Sequence, residues 1–197
     1  MSHTSHVCQG ITLIELLFTM AIVCTLAVIA IPNGLRMLDE YHVANAARFL
    51  AHRLGHARLD AVRRATFVGL KFDAVSDDYV FTTVADGNAN GLHTAEIVRG
   101  VDPTLSSAER LASNFSGVAF GILPGVPDAD GDAVDTLDGV RVGAARILSM
   151  SPEGSSSSGT LYVHGRQRTQ YAVRALGATG RVRLMKYVES ARRWVDQ

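Results

Sequence analysis

The sequence has little cysteine and no net charge, and each shortage excludes a class of protein. Its two cysteines, Cys8 and Cys24, stand just before and inside a long apolar run, so the remainder of the chain cannot be a disulfide scaffold. Lysine plus arginine and aspartate plus glutamate number 19 each. The composition as a whole therefore indicates neither a nucleic-acid-binding protein nor one that acts on acidic substrates.

Recognisable catalytic motifs are also missing. His52 and His56 lie one helical turn apart, but Arg53 stands where the zinc-protease motif HExxH requires glutamate. The serine run Ser155–Ser158 lacks the strand–turn–helix context of a nucleophile. We therefore expect no enzymatic activity, no cofactor and no catalytic or metal-binding residue.

The neutral total conceals an uneven distribution of charge along the chain. Residues 32–72 contain seven Lys/Arg and three Asp/Glu, residues 73–140 contain two and twelve, and residues 141–197 contain ten and three. The chain thus has an acidic middle and a basic end, and local surfaces should carry charge of one sign.

The dominant feature is the apolar run Ile11–Ile31, whose one charged residue is Glu15. As a helix rising about 1.5 Å per residue, the run would cross a hydrocarbon core of roughly 30 Å. The alternative is a cleavable secretory signal cut near Ala27–Ala30, but its apolar core would be shorter and would follow a basic start. The first ten residues contain no lysine or arginine, so a membrane-spanning helix is favoured.

The segment from Gly10 to Leu17, GITLIELL, resembles the class III signal of type IV pilins and type II secretion pseudopilins. The resemblance implies that a prepilin peptidase cuts after Gly10 and that the new amino terminus, Ile11, is methylated. Glu15 then becomes the fifth mature residue, and Pro32 the twenty-second, where many pilins have proline. In such filaments the glutamate pairs with the free amine of a neighbouring subunit, and an unpaired charge in a low-dielectric core is costly.

Two features depart from that signal. The leader contains histidines where the family usually has lysine or arginine, and Ile11 follows the cut where phenylalanine or methionine is common. Both departures concern the efficiency of cleavage.

Beyond Pro32, apolar residues recur at helical spacing, which predicts an amphipathic stem that continues to about Ala65. The predicted stripe consists of Leu35, Leu38, Ala46, Phe49, Leu50, Leu54, Ala57 and Ala61. After Thr66, short β-like runs alternate with turn residues. These runs lie at 66–72, 79–84, 95–99, 117–122, 146–150, 160–164, 170–176 and 181–187.

The predicted fold class is α+β, with a long amino-terminal helix packed on an antiparallel head of two small sheets. The predicted organisation has four parts: a leader, 1–10; a transmembrane helix, 11–31; a stem helix, 32–65; and a β-rich periplasmic head, 66–197.

The carboxy-terminal segments ILSMSPEGSSSSGTLYV, QYAVRAL and TGRVRLMKY are similar to the corresponding half of the GspH/FimT family of minor pseudopilins and minor pilins. This resemblance implies a single-pass inner-membrane protein that enters a periplasmic or cell-surface filament. It would help to assemble a type IV pilus or a type II secretion pseudopilus. Its partners would be the prepilin peptidase and other pilins or pseudopilins.

Two acidic segments raise the alternative of calcium binding. The segment Asp86–Gly91 has the early oxygen ligands of a calcium loop, but Ile97 occupies the twelfth position, where glutamate is required. A polar turn is therefore favoured there. The aspartates between Asp128 and Asp138 are predicted to form a solvated loop, with a calcium site as the alternative.

The basic end suggests a second function. The motifs GRQR, with Arg166 and Arg168, and GRVR, with Arg181 and Arg183, place two arginines on one face of an extended chain. Guanidinium groups suit phosphate because their planar fork binds two oxygens. The GRxR pattern also resembles the DNA-binding element of FimT-like minor pilins, so DNA uptake is the alternative function and DNA an additional partner.

Overall fold

The structure is a computed structural model that describes residues 12–134 and 138–197. It contains the helices α1 (Leu13–Arg64), α2 (Thr94–Arg99) and α3 (Leu111–Asn114), and a 3-10 helix at Glu189–Ala191. The strands are β1 (Val68–Val75), β2 (Asp78–Ala85), β3 (Glu109–Arg110), β4 (Ala119–Phe120), β5 (Val140–Arg141), β6 (Ile147–Met150), β7 (Gly159–His164), β8 (Gln170–Leu176), β9 (Arg181–Val188) and β10 (Arg193–Asp196).

The chain divides into two compact units, residues 1–38 and 39–197. In the first unit, the described part of α1 exposes nearly all of its large apolar side chains, Leu13 and Phe18 among them. This helix is long and apolar enough to cross a membrane, judged by length and composition, a test that a signal sequence near the amino terminus also passes. Pro32 lies inside the helix, and the neighbouring Asn33 amide donates to the carbonyl of Ile29 at 3.1 Å.

The second unit begins with the remainder of α1, which buries one face. The buried positions are three or four residues apart because such residues share one face of an α-helix. They are Val43, Ala44, Ala46, Ala47, Leu50, Leu54, Ala57 and Ala61. The predicted stripe is confirmed from Ala46 to Ala61. Leu35 and Leu38, by contrast, are more than half exposed.

Two antiparallel sheets complete the second unit. The four-stranded sheet has the order β3-β2-β1-β6, and the six-stranded sheet runs β10-β9-β8-β7-β4, with β5 also pairing β7. Inward-facing residues of both sheets share one core with α1, including Leu70, Leu148, Leu161 and Val173. The predicted class, α+β with a long helix packed against antiparallel sheets, is confirmed.

Phenylalanines join the two sheets at the centre of this core. Phe72 and Phe81 come from the four-stranded sheet, and Phe120 comes from β4 of the other sheet. The Phe120 ring stands edge-on to both, with centroids 5.8 Å from Phe72 and 6.4 Å from Phe81. Aromatic pairs prefer this arrangement because the positive edge of one ring meets the negative face of another.

The prediction of a strand at 95–99 is wrong, because Thr94–Arg99 is the helix α2. Its β-branched residues, Ile97 and Val98, produced the strand pattern. Gly100 ends the helix in the left-handed conformation, φ 76°, and its N–H donates to carbonyls of the last turn. Glycine adopts this conformation without the steric cost of a side chain, so the helix ends in a well-formed cap. The hydrogen bonds of the helix and its cap outweigh the preference of Ile97 and Val98 for strands.

The sequence patterns also missed the shortest strands. The two-residue strands β3 and β5 and the terminal strand β10 were not predicted, and the expected run 117–122 reduces to β4 at Ala119–Phe120. Two-residue strands contain no alternation from which they can be recognised. The prediction for β8 agrees with the structure at both ends, and that for β9 differs by one residue.

Candidate functional site

The predicted processing site lies outside the described residues, since these begin at Thr12 and the site is the Gly10–Ile11 bond. Glu15 falls in the first turn of α1, with its side chain exposed. Its backbone N–H lies 3.4 Å from the Thr12 hydroxyl oxygen. A carboxylate in the first helical turn is favourable because the unsatisfied N–H groups there carry partial positive charge.

Of the two predicted arginine pairs, Arg181 and Arg183 have the expected extended geometry. Both lie on β9 and are exposed, whereas Val182 between them is half-buried and packs toward the core. Arg183 forms an ion pair with Asp196 of β10. Arg181 forms no ion pair among the described residues. Of the two guanidinium groups, only that of Arg183 therefore has a carboxylate partner there.

Arg166 and Arg168 instead lie in the turn of the β7–β8 hairpin, where the chain is not extended. The N–H of Gly165 donates to the carbonyl of Thr169 at 3.0 Å and closes this turn. Arg168 has a left-handed backbone, φ 64°, and its side chain contacts Glu189 at 3.4 Å. The backbone N–H of Arg166 donates to Asp39 at 2.8 Å.

The two arginine pairs lie at opposite ends of the β8–β9 ladder. Leu176 is opposite Arg181, while Gln170, at the far end of β8, directly follows the turn that carries Arg166 and Arg168. Six residues of strand at about 3.3 Å each separate these ends by roughly 20 Å. The four arginines therefore form two separate basic surfaces.

Between those ends, arginines on the outer face of the six-stranded sheet are paired with aspartates. Arg174 stands directly opposite Arg183, an unfavourable juxtaposition of like charges on neighbouring strands. Asp130 accepts two hydrogen bonds from Arg174, at 2.7 and 3.0 Å. The hydrogen bond from Arg174 lowers the pKa of Asp130, and the same hydrogen bond raises the pKa of Arg174.

The segment that carries Asp130 is the acidic loop, residues 121–139, of which 135–137 are not described. Its apolar residues Ile122 and Val126 are buried in a second cluster with Tyr162 and Met185 from the outer face of the sheet. Burial raises the pKa of Tyr162, whose hydroxyl accepts a 2.9 Å hydrogen bond from a loop N–H. The apolar residues Ile122 and Val126 precede the aspartates and cover the sheet. The described aspartates themselves are half-buried (Asp128 and Asp138) or exposed (Asp130 and Asp132), so the predicted solvated loop agrees with the structure at Asp130 and Asp132.

Two polar side chains attach the acidic loop to the sheet. Gln170 is almost wholly buried; its amide nitrogen donates to the carbonyls of Gly121 and Val163, and its oxygen accepts from the N–H of Leu123 at 2.8 Å. On β10, at the edge of the six-stranded sheet, the indole N–H of Trp194 donates to the carbonyl of Pro127 at 3.1 Å. Neither residue was singled out from the sequence, because glutamine and tryptophan matched no motif.

Backbone N–H groups bind the carboxylate of Asp86 and that of Asp102, which follows the segment Asp86–Gly91 in sequence. Asp86 accepts hydrogen bonds from three N–H groups within the next five residues, at 2.7–3.0 Å. Asp102, also buried, accepts from Gly87 and His93, at 3.1 Å each. Across residues 12–134 and 138–197, no three His, Cys, Asp or Glu side chains converge as metal ligands would.

Asp39 of α1 is a further residue that the sequence did not single out. Its carboxylate accepts backbone hydrogen bonds from Arg166 and Gln167, and it therefore holds the arginine-bearing turn against the helix. A residue next to it on α1, Glu40, forms an ion pair with Lys186. Residues 32–72 contain seven basic and only three acidic residues. The scarcity of carboxylates in this stretch was the one sequence feature that could have marked Asp39 and Glu40 as contact residues.

Comparison with known proteins adds a family motif. Residues 6–31 match the prokaryotic N-terminal methylation motif, which covers Gly10, Ile11 and Glu15. This motif and the fold together support a type IV pilin-like protein with a membrane-anchoring amino-terminal helix.

The chain is also similar in sequence to a protein named as pilin-like. The chain is 39% identical over 83 residues to "Pilin-like protein PilA1" of Thermus thermophilus, an alignment covering 42% of this chain and 51% of that protein. The chain thus spans about half the length of the curated relative it matches. No solved structure shows significant similarity.

Proposed function

We propose that this chain is a minor pilin or pseudopilin of the GspH/FimT type, a subunit that helps to assemble a type IV pilus or a type II secretion pseudopilus. The observation that carries the proposal is the methylation motif at residues 6–31, with Glu15 at the fifth position after Gly10. The α+β fold supports it, because α1 supplies both an exposed apolar segment and a buried stripe.

In this proposal a prepilin peptidase removes the leader 1–10 and Ile11 becomes the methylated amino terminus. Residues 11–31 anchor the chain in the inner membrane, 32–65 form the stem, and 66–197 form a periplasmic head. The partners are other pilins or pseudopilins. The function is structural, so the proposal requires no catalytic residue.

The test is the mass of the amino-terminal peptide from membrane-extracted protein expressed with and without a prepilin peptidase. We expect a methylated peptide beginning at Ile11 only when the peptidase is present. A matched Gly10→Val variant should retain residues 1–10, because the cut depends on the glycine. Cleavage near Ala30 in either strain would instead identify an ordinary secretory signal and overturn the proposal.

A second candidate function, DNA capture during uptake, rests on the distribution of arginines. In the described part of the chain, the side chains of Arg166, Arg181, Arg192 and Arg193 make no ion pair, and all four are exposed. Free guanidinium groups bind phosphate oxygens without reading bases, so any such DNA binding would show little sequence preference and would weaken as salt rises.

Fluorescence anisotropy with labelled duplex DNA tests this function on full-length protein in neutral detergent at two salt concentrations. We expect weaker binding at the higher salt and a flatter salt dependence for the Arg181→Gln, Arg183→Gln double variant. An Asp132→Asn variant is the control for a charge change elsewhere on the head. If the wild-type protein shows no DNA binding even at low salt, the DNA-capture function is contradicted and only the subunit function remains proposed.

A further inference from the structure

An open cleft of about 610 Å³ lies at the end of the six-stranded sheet that carries the β7–β8 turn. Arg168 from that turn and Arg192, which follows the 3-10 helix, line it together with Glu189. Tyr187 of β9 and Pro127 of the acidic loop also line the cleft. It thus combines two guanidinium groups, one carboxylate and an aromatic ring.

Both arginines occupy backbone positions that favour glycine. Arg168 has φ 64° in a hairpin turn, and Arg192 has φ 48° as the C-cap of the 3-10 helix. The left-handed conformation brings the Cβ atom of a non-glycine residue close to a backbone oxygen, so an arginine there destabilises the folded state relative to glycine. Strained residues of this kind concentrate at sites where the side chain has a function.

The charge balance of the cleft is positive. Arg168 contacts Glu189 at 3.4 Å, but both side chains are more than 60% exposed, so water screens this pair. Arg192 has no carboxylate partner among the described residues. Two carboxylates near the same turn are engaged elsewhere: Asp39 with backbone N–H groups and Glu40 with Lys186. Asp128, next to Pro127, is ion-paired with Arg141 at 3.7 Å.

Arg146 is an instructive contrast because it also has a left-handed backbone, φ 50°. Its guanidinium group is bound to Asp138 at 3.1 Å and to the hydroxyl of Tyr79. The strain at Arg146 is thus accompanied by polar contacts inside the head. No comparable contact in the described structure accounts for Arg192.

We propose that the cleft binds a phosphate group through Arg168 and Arg192, with Tyr187 flanking the group to which the phosphate is attached. Arginine suits this ligand because its planar fork presents two N–H donors to two phosphate oxygens. The proposal does not require filament assembly. The cleft is separate from the DNA contacts proposed above for Arg181 and Arg183, which lie toward the opposite end of β9.

The first experiment is an isothermal titration of the full chain, in neutral detergent micelles, with inorganic pyrophosphate. We expect measurable binding that Arg192→Gly and Arg168→Gly each weaken by about tenfold, the scale of one lost charge-assisted contact. The conservative Arg192→Lys variant should fall between the wild type and the glycine variant, because it keeps the charge and loses the fork. Arg63→Gln is the control and should bind like the wild type, because Arg63 lies on α1 about 36 Å along the helix from Asp39, which holds the turn that carries Arg168.

Thermal unfolding of the same variants distinguishes a binding role from a purely structural one. Glycine relieves the left-handed strain, so we expect unchanged or raised melting temperatures for Arg192→Gly together with weaker pyrophosphate binding. A lowered melting temperature with unaltered binding would mean that these arginines only hold the turns, and would overturn the proposal. Absence of pyrophosphate binding by the wild-type protein would also overturn it.

A second titration with a short oligonucleotide identifies the source of the phosphate. Binding of both pyrophosphate and oligonucleotide, each weakened in Arg192→Gly, would support a site that accepts nucleic-acid phosphates. Binding of pyrophosphate alone would support a small phosphorylated ligand. Oligonucleotide binding without pyrophosphate binding would show a diffuse electrostatic attraction and would contradict a defined site.

Discussion

Arg174 binds the carboxylate of Asp130 through both terminal nitrogens, at 2.7 and 3.0 Å, and thereby joins the acidic loop to the six-stranded sheet. The chain's acidic middle and basic end thus meet in the folded head. The same pairing relieves the repulsion between Arg174 and Arg183, which stand opposite each other on β8 and β9. Arg183 has its own carboxylate partner, Asp196.

The Asp130–Arg174 pair predicts a small pH-dependent contribution to stability. Because the hydrogen bond from Arg174 lowers the pKa of Asp130 in the folded state, the pair stabilises the fold above the unfolded pKa. That contribution is lost as pH falls through the lowered folded value. We expect Asp130→Asn to reduce the free energy of unfolding at pH 7 by less than about 1 kcal/mol, since the pair is exposed.

Denaturant unfolding of wild type and Asp130→Asn between pH 7 and pH 2 measures this difference, which should vanish at the acid end. Asp132→Asn is the matched control, because Asp132 makes no ion pair in the described structure. A difference that stays constant down to pH 2 would show that the carboxylate charge is not its origin.

Gln170 predicts a larger effect, because its side chain satisfies three buried or half-buried backbone groups. Replacing it by leucine keeps the volume but leaves these groups without partners. We expect Gln170→Leu to lower the free energy of unfolding by about 3 kcal/mol, since each unsatisfied group costs about 1–3 kcal/mol. Gln167→Leu, in the exposed neighbouring turn, should change it by less than about 0.5 kcal/mol.

The contact between Asp39 and the β7–β8 turn predicts coupled substitutions. A Cβ atom at Gly165 would lie 2.2 Å from a carboxylate oxygen of Asp39, so Gly165→Ala must displace the side chain that holds the turn. Asp39→Ala removes the same two hydrogen bonds. We therefore expect the double variant to cost about 1 kcal/mol less than the sum of the single variants, as measured by urea unfolding. Strict additivity would show that the glycine and the aspartate act independently.

The proposed subunit function predicts separate effects on insertion and assembly at Glu15. Glu15→Val makes the apolar run more hydrophobic, so the variant should still fractionate with the inner membrane. Its abundance in sheared filaments should fall, because the charge that pairs with a neighbouring amino terminus is absent. Thr19→Val, one turn further along α1, is the control and should assemble normally. Normal filament content of Glu15→Val would remove the assembly role.

The sequence predicted the regular elements best where burial follows a simple period. Leu50, Leu54, Ala57 and Ala61 are buried at helical spacing, and β8 begins and ends at the predicted residues. α2 was mistaken for a strand because six residues with two β-branched side chains carry too little periodicity to outweigh residue preference.

The candidate site was predictable only in part. Arg181 and Arg183 were correctly placed on one face of a strand, since that relation is local. The cleft between Arg168 and Arg192 depends on which turns meet at the end of a sheet. That juxtaposition arises from pairing between strands that are far apart in sequence, which local patterns do not reveal. The same holds for the packing of the acidic loop on Tyr162.

The outermost strand of the six-stranded sheet, β10, is only four residues long and has charged side chains, Arg193 and Asp196, at its two ends. A sheet edge with unpaired backbone groups can recruit a strand from another molecule and start aggregation. Short length and terminal charges are common safeguards against such recruitment. The β10 edge of this sheet is thus poorly suited to unplanned β-pairing, even where many copies are crowded together.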